Sequence, residues 1–476
     1  MKKLLFILLA AGLLVACNNG PVPPDPDPDD TTKVPVDTSK VPVDTTTVPV
    51  DTTTTPPDTS SLQGLRIVST LTHVQPMTGL VLWPDQARSK DATFNQSISL
   101  EYSYCLPNKV VTGKQGDQIQ YDWTWFENLL DDIASRNHQA IVRFRYEYPN
   151  GSDAGGPRGS TAVPQYIKDR SDYNETYSAN PGGDGPTYYA DWSNTELQWF
   201  TKQFYTDFAA RYGNDPRIAF LEVGFGHWAE YHIYGTPLRL GVNFPSKPYQ
   251  REFLLHVANV MPIPWLISID AADDSYTPIV GSSELMALTF GTFDDSFMHQ
   301  NHEGGYNEEC WQALGQGKRW KTGVCGGEIS YYSSRDQRGF LNPAGLYGHT
   351  WEEQAAKYHI TFMIANDAPG TTYGTPERFL EAGLASGYRL KVTSAQVLPS
   401  CTRVRVTNAG VAPVYKEVYF AIDNTRSTES LRGLQPGETR EVTVDVPLTS
   451  SSQRLHVVSD AILPTQTIEF EADIRL

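Results

Sequence analysis

A chain of 476 residues that is 39% hydrophobic and 11% aromatic is long enough for more than one domain and apolar enough to build a sizeable core. Its formal net charge of -17, without any cluster of Lys and Arg, excludes a phosphate-backbone partner, so no nucleic acid is expected. Polyanionic ligands are disfavoured for the same reason, unless a local arginine group receives them.

Lys2 and Lys3 precede an apolar run from Leu4 to Val15 that is too brief to span a bilayer comfortably, the pattern of a cleaved signal peptide over residues 1–16. Leu14, Val15, Ala16 and Cys17 resemble a bacterial lipoprotein box, in which the cysteine becomes the lipidated first residue of the mature chain. The expected location is the bacterial cell envelope, at the outer membrane or cell surface, with membrane contact through a lipid on Cys17. Residues 17–62 read as a disordered stalk, because VPVDTSK, VPVDTTT and VPVDTTT repeat from Val34 to Thr54. Proline in each unit fixes φ and removes a donor, while Asp and Thr keep the segment solvated. Four cysteines remain, Cys105, Cys310, Cys325 and Cys401; export permits disulfides, and Cys310 with Cys325 is the first pairing to test among three possible connectivities.

Over residues 63–386, strand-like runs alternate with amphipathic stretches. The strands read as GLVLW (79–83), ISLEYSY (98–104), AIVRFRY (140–146), IAFLEVGF (218–225), WLISID (265–270), LMALTFGTF (285–293), KTGVCGGE (321–328) and ITFMIAND (360–367). The segment 65–71 competes for the first place. Helices fall between them, one with Trp125, Leu129, Leu130 and Ile133 on a face, another with Phe200, Phe204 and Phe208 spaced for a core stripe. Eight βα units predict an α/β fold, a (β/α)8 TIM-like barrel; an open sheet would want a glycine fingerprint after strand 1, and Gly79 precedes it. A closing helix is expected near 376–386. Over residues 387–476 the period drops to two, with turn signals between short segments, which predicts a small all-β sandwich packed against the barrel.

In such a barrel the functional groups gather where strands end at the C-terminal face. Polar candidates there are Arg143, Arg145 and Tyr146 after strand 3; Glu222, His227, Trp228, Glu230 and His232 in and after strand 4; Asp270 after strand 5; Asp294 and Asp295 after strand 6; Glu328 after strand 7; and Asn366 and Asp367 after strand 8. A carboxylate inside a doubly buried strand must be paired or put to use, so Glu222 needs Arg143 or Arg145. Glu230 and Glu328, on opposite walls, are placed for glycoside hydrolysis, which needs one protonated and one ionised carboxylate. The expected roles are Glu328 as nucleophile or base and Glu230, or failing that Glu222, as general acid. Arg143, Arg145, Tyr146, His227, Trp228, His232, Asp270 and Asp294 are the expected substrate contacts. The HExxH spacing is absent around His227 and His232, and neither a nucleophile elbow nor a phosphate loop is present, so neither a metal nor a cofactor is expected.

The runs QAIVRFRYEYP, RYGNDPRIAFLEVGFGHWAEYH and VCGGE, with the strand-rich tail, resemble a pair of bacterial domains of unknown function, DUF4874 and DUF4832, found together in exported proteins related to glycoside hydrolase barrels. The loop GHWAEYH departs from that pattern at Ala229, where glycine is usual, and at Tyr231, where tryptophan is usual, while Glu230 and His232 are kept. The resemblance implies a sugar-directed barrel by analogy. The expectation is a surface-tethered glycoside hydrolase acting on a polysaccharide or oligosaccharide, with a non-catalytic carbohydrate-binding or structural envelope lipoprotein as the alternative.

Overall fold

The computed structural model describes residues 65–151, 156–179, 182, 184–365 and 367–476. The signal peptide, Cys17, the stalk and Asn366 lie outside the described residues. Among those described, no helix is long and apolar enough to cross a membrane.

Eight strands close into a barrel, all parallel and in chain order: Gly79–Leu82, Leu100–Cys105, Gln139–Phe144, Ile218–Glu222, Trp265–Ser268, Gly291–Phe297, Cys325–Ile329 and Phe362–Ile364, barrel strands 1 to 8. They are apolar on both faces because both are covered. Val81, Tyr102, Ile141, Phe220, Leu266, Phe293, Val324 and Phe362 fill the interior, while Leu80, Leu82, Val142, Phe144, Leu221, Ile267 and Met363 face the helices. Helix Thr195–Tyr212, started by Asn194 accepting from the amides of Glu196 and Leu197, lays Phe200, Phe204 and Phe208 on that outer layer. Burying each such side chain is worth roughly 1.5–3 kcal/mol. Helix Thr124–Ser135 buries Phe126, Leu130 and Ile133, with Trp125 turned outward.

Three expectations need correction. Strand 6 lies further along the chain than its apolar run indicates. Ser282 caps a helical turn, Ser283–Met286, by accepting from the Leu285 amide, and the strand starts only at Gly291. Arg66–Ser69 is a strand, but its alternating burial suits a one-sided sheet, and it pairs antiparallel with Phe470–Arg475 in the C-terminal domain. Cys310 and Cys325 are both unpaired and buried, the first on helix Tyr306–Ala313 and the second in barrel strand 7.

The C-terminal segments form a five-stranded sheet, in the order Arg66–Ser69, Phe470–Arg475, Leu390–Val397, Thr402–Asn408 and Thr439–Val444, and a three-stranded one, Thr425–Arg426, Tyr419–Ile422 and Leu455–Val458. The two share one core of Val392, Val404, Val406, Phe420, Ile422, Val442 and Phe470. This sandwich closes the lower end of the barrel: Tyr415, Ala461 and Ile462 pack on the interior residues, and Gln139, at the start of barrel strand 3, donates to the Ala461 carbonyl at 2.9 Å. The opposite, C-terminal end is left as the mouth.

Candidate active site

Strand register sets the floor of the mouth. Arg143 lies beside Tyr104 on one side and Glu222 on the other, and the two-residue alternation that turns Ile141 inward turns Arg143 inward as well. Its guanidinium, wholly buried, gathers three carboxylates. Nε donates to Glu222 Oε2 at 2.6 Å, Nη1 donates to Glu230 Oε1 at 2.6 Å and to the Trp228 carbonyl at 3.1 Å, and Nη2 lies 3.6 Å from Glu328 Oε1. Glu222 is also fully buried and accepts from the Tyr102 hydroxyl at 2.9 Å. The Phe293 ring, 4.0 Å from Cζ, closes the underside of the guanidinium. Glu222 is therefore the sealed member of the cluster, and Glu230 and Glu328 are the two that face each other across the width of one guanidinium.

Burial is the main cause raising all three carboxyls above their ordinary range, Glu328 to about 8 and Glu230 well above its usual value, with Arg143 drawing each of them down. Glu222 and Asp295 push Glu328 further up, as Asp295 and Glu328 do Glu230. Several carboxylates around a single cation repel one another in a low-dielectric site.

Glu230 is held by a tightly wound loop. Gly226, Trp228, Ala229 and Tyr231 all have φ between 51° and 79°, the left-handed region that is costly for the three non-glycine members. The winding is fixed by backbone bonds from Tyr231 to the Phe225 carbonyl, from His227 to the His232 carbonyl, and from Trp228 to the Glu147 carbonyl. A Cβ at Gly224 would overlap the Ala229 carbonyl, so glycine is required where the loop folds back. Such strain, concentrated beside the carboxylates, is characteristic of functional sites. Glu147, which the sequence did not single out, supports the same loop through its backbone carbonyl while its carboxylate accepts the Ala190 amide at 3.0 Å; burial raises its carboxyl to about 8.

The other expected residues divide. Arg145 faces the mouth, its guanidinium 4.1 Å over the Tyr148 ring and 5.1 Å over Tyr104. His232 Nδ1 lies 2.9 Å from Asp270 Oδ2, which ties the loop to the end of barrel strand 5. His227 is fully buried with Nε2 2.9 Å from the Tyr189 hydroxyl, and burial pushes its imidazole down to about 3, so it is a neutral support behind the loop. Tyr146 points the wrong way: on alternate parity to Arg143 and Arg145 it turns to the helix layer, bonding Thr201 at 2.8 Å and packing on Trp192, so it is no substrate contact. Asp294 is corrected likewise. It is fully buried outside the barrel, held by His302, Asn307, Trp311 and the Ser296 amide at 2.7–2.9 Å. Its neighbour Asp295, one residue on and two from inward-facing Phe293, is the group at the mouth. Burial, then Asp270 and Asp294, raises its carboxyl to about 7.

Gly326 and Gly327, whose missing side chains leave room beside the strand 7 backbone, have that room filled by protein. A Cβ at Gly326 would press on the Phe362 ring at 2.5 Å, and one at Gly327, with φ of 145°, would overlap the strand 6 backbone at Asp294. An aromatic rim surrounds Trp228, which the sequence singled out, with members it did not: Trp83, Tyr104, Tyr148 and Trp228 follow one another in tilted and T-shaped contacts at 5.2–6.2 Å between ring centres, and Tyr234 and Tyr332 are exposed. The inward parity of each barrel strand, followed to its end and one residue beyond, was the signal that identifies Trp83, Tyr104 and Asp295. Among the described residues, no group of three or more His, Cys, Asp or Glu is arranged to hold a metal ion.

No model of a known protein family matches the chain, and no curated protein matches it in sequence. Among solved structures it is similar to the catalytic domain of a β-amylase from Paenibacillus polymyxa, with 10% identity, 66% of this chain and 100% of that one covered, and a TM-score of 0.40. Endo-glycoceramidase II from Rhodococcus sp. gives 10% identity, 81% and 99% coverage and a TM-score of 0.39. A family 39 glycoside hydrolase from Bacteroides cellulosilyticus gives 9%, 78% and 81%, and 0.38. The barrel stands on its own strand order, and similarities of this size add nothing to the chemistry.

Proposed function

We propose that the chain is a glycoside hydrolase that cleaves its substrate over Arg143, with Glu328 as proton donor and Glu230 as the ionised carboxylate opposite. The observation that supports this is the convergence of three carboxylates on one guanidinium at the open end of the barrel. Glu222, wholly buried, already balances the charge of Arg143, so Glu230 and Glu328 cannot both be ionised side by side; between them they hold a proton near neutral pH. One protonated and one ionised carboxylate is the equipment that glycosidic cleavage requires. Glu230 accepts a short charge-assisted bond from Nη1, which favours its ionised form, whereas Glu328 Oε1 is buried and accepts no hydrogen bond. The hydrogen bonding of Arg143 supports a proton on Glu328, the reverse of the roles expected from the sequence, against burial, which raises the Glu230 carboxyl further than that of Glu328.

In the reaction Glu328 gives its proton to the glycosidic oxygen as the bond to the anomeric carbon breaks. Glu230 either attacks that carbon or takes a proton from the water that does, and the anomer first released distinguishes the two. The rim of Trp83, Tyr104, Tyr148 and Trp228 supplies flat faces for sugar rings. The test is a panel of plant, algal and host glycans with wild type, Glu328→Gln and Glu230→Gln. On aryl glycosides whose leaving group needs no protonation, Glu328→Gln keeps most of the rate, while Glu230→Gln loses about 10²–10⁴-fold. Release of no sugar from any substrate by wild type refutes hydrolysis. One observation favours non-catalytic capture instead: the Glu230 and Glu328 side chains are only 6% and 8% exposed. Under that reading wild type and Glu328→Gln bind an oligosaccharide equally and neither cuts it.

We infer in addition that the chain is exported and lipid-anchored through Cys17 in a bacterial envelope, supported by Lys2, Lys3, the apolar run and the Leu14–Cys17 box. Loss of fatty-acid labelling in Cys17→Ala tests it. Kinship with the DUF4874 and DUF4832 pair is a proposal of the same kind, supported by GHWAEYH and VCGGE.

A further inference from the structure

The two sides of the mouth differ in chemistry. On the side of barrel strands 1 to 3, aromatic rings alternate with Arg145. On the side of strands 5 and 6, acceptors gather: Asp270, Asp295 and the imidazole of His232. With Nδ1 bound to Asp270, His232 keeps a buried Nε2 that has no hydrogen-bond partner, and its ring lies 4.7 Å from that of Tyr234. The charges of Asp270 and Asp295 act on the phenols of both Tyr234 and Tyr332, and that of Glu230 acts on Tyr234 as well. The mouth thus sets the carboxylates of Glu222, Glu230, Asp270, Asp295 and Glu328 against the guanidiniums of Arg143 and Arg145. The bonds of Arg143 run to Glu222, Glu230 and the Trp228 carbonyl.

We propose that Asp270, His232, Asp295, Tyr234 and Tyr332 form a subsite for a protonated amino sugar, so that the glycan handled here carries 2-amino-2-deoxy residues with free ammonium groups. The inference rests on the carbohydrate reading above and narrows its substrate class. An ammonium brings three donors and a full charge to a wall that has acceptors in excess, and the phenol rings attract a cation over their faces. Seated beside Asp295 it also offsets the repulsion between Asp295 and Glu230, which keeps Glu230 ionised. A uronate or sulfated sugar meets like charge, and an N-acetylated sugar offers one amide donor without charge.

The test is calorimetry on the full chain carrying Glu328→Gln, to prevent turnover, with glucosamine hexaose, N-acetylglucosamine hexaose and galacturonate hexaose. The glucosamine oligomer is expected to bind about tenfold or more tightly than its acetylated counterpart, with the galacturonate oligomer not binding. The advantage shrinks in 0.5 M salt, as charge pairing requires. Asp295→Asn and Asp270→Asn, added singly and checked for an unchanged circular dichroism spectrum, each remove the advantage, weakening the glucosamine oligomer more than the acetylated one. Equal binding of the two oligomers, an advantage that survives both substitutions, or stoichiometric binding of calcium alone that Asp295→Asn abolishes would each overturn the proposal. Cleavage of a neutral glycan with no amino-sugar preference sinks this inference and leaves the hydrolase standing; tight glucosamine binding by a wild type that cuts nothing does the converse.

Discussion

Replacing Glu328 by Gln tests the electrostatics of the mouth without any substrate. Burial, reinforced by Glu222 and Asp295, carries the Glu328 carboxyl from 4.5 to about 8. The unfolded chain releases this proton near the lower value, and the folded chain keeps it up to the higher one. Between them the folded state binds the extra proton, so wild-type stability falls as pH rises, by about 1.4 kcal/mol per unit. Across the window the loss is on the order of 5 kcal/mol. Gln carries no charge at any pH and escapes it. Urea unfolding followed by tryptophan fluorescence is expected to give nearly equal stabilities at pH 5 and a variant more stable than wild type by about 3–5 kcal/mol at pH 8, the lower figure if Arg143 shifts toward the ionised Glu328. A gap that is the same at both pH values, or a variant less stable at pH 8, refutes the claim that Glu328 holds a proton against its surroundings.

Ala229→Gly removes a Cβ from a residue with φ of 65° and is expected to stabilise the chain by about 1 kcal/mol in the same assay, with an unchanged circular dichroism spectrum. Asp294→Asn breaks a buried set of bonds to His302, Asn307 and Trp311, lowering stability by about 2–4 kcal/mol while KM for any substrate stays within twofold; a large KM change would return Asp294 to the mouth. Arg143→Lys replaces a fork by a point charge that cannot serve three carboxylates, and a loss of about 3–5 kcal/mol is expected, measured by urea midpoint.

The barrel was legible because its strands are apolar on both faces and separated by helical stripes such as Phe200, Phe204 and Phe208. The alternation in the tail gave the sandwich equally directly. Errors arose where a local pattern was overruled by a cap or by parity. The run from Leu285 is as apolar as a strand, yet Ser282 starts a helical turn there. With strand 6 ended at Phe293, the inward alternation was not carried on to Asp295, and Asp294 was taken in its place; Tyr146 was misassigned by the same slip. Glu222, Glu230 and Glu328 were visible as carboxylates at strand ends, but their common partner required register: only the pairing of Arg143 with Glu222 brings one guanidinium under all three. Long-range strand pairing also explains Arg66–Ser69, whose partner lies some 400 positions away, beyond any sequence window.

That pairing has a mechanical consequence. The described chain starts and finishes in neighbouring strands, Arg66 opposite Arg475 and Ser69 opposite Ala472, reinforced by the pair between Arg66 and Asp473 at 2.6 Å. A pull on the polypeptide ahead of Leu65 is thus borne by one edge ladder of the sandwich, at the far end from the mouth. Force transmitted along the leading segment would peel that ladder before it distorted the strands that carry Arg143, Glu230 and Glu328.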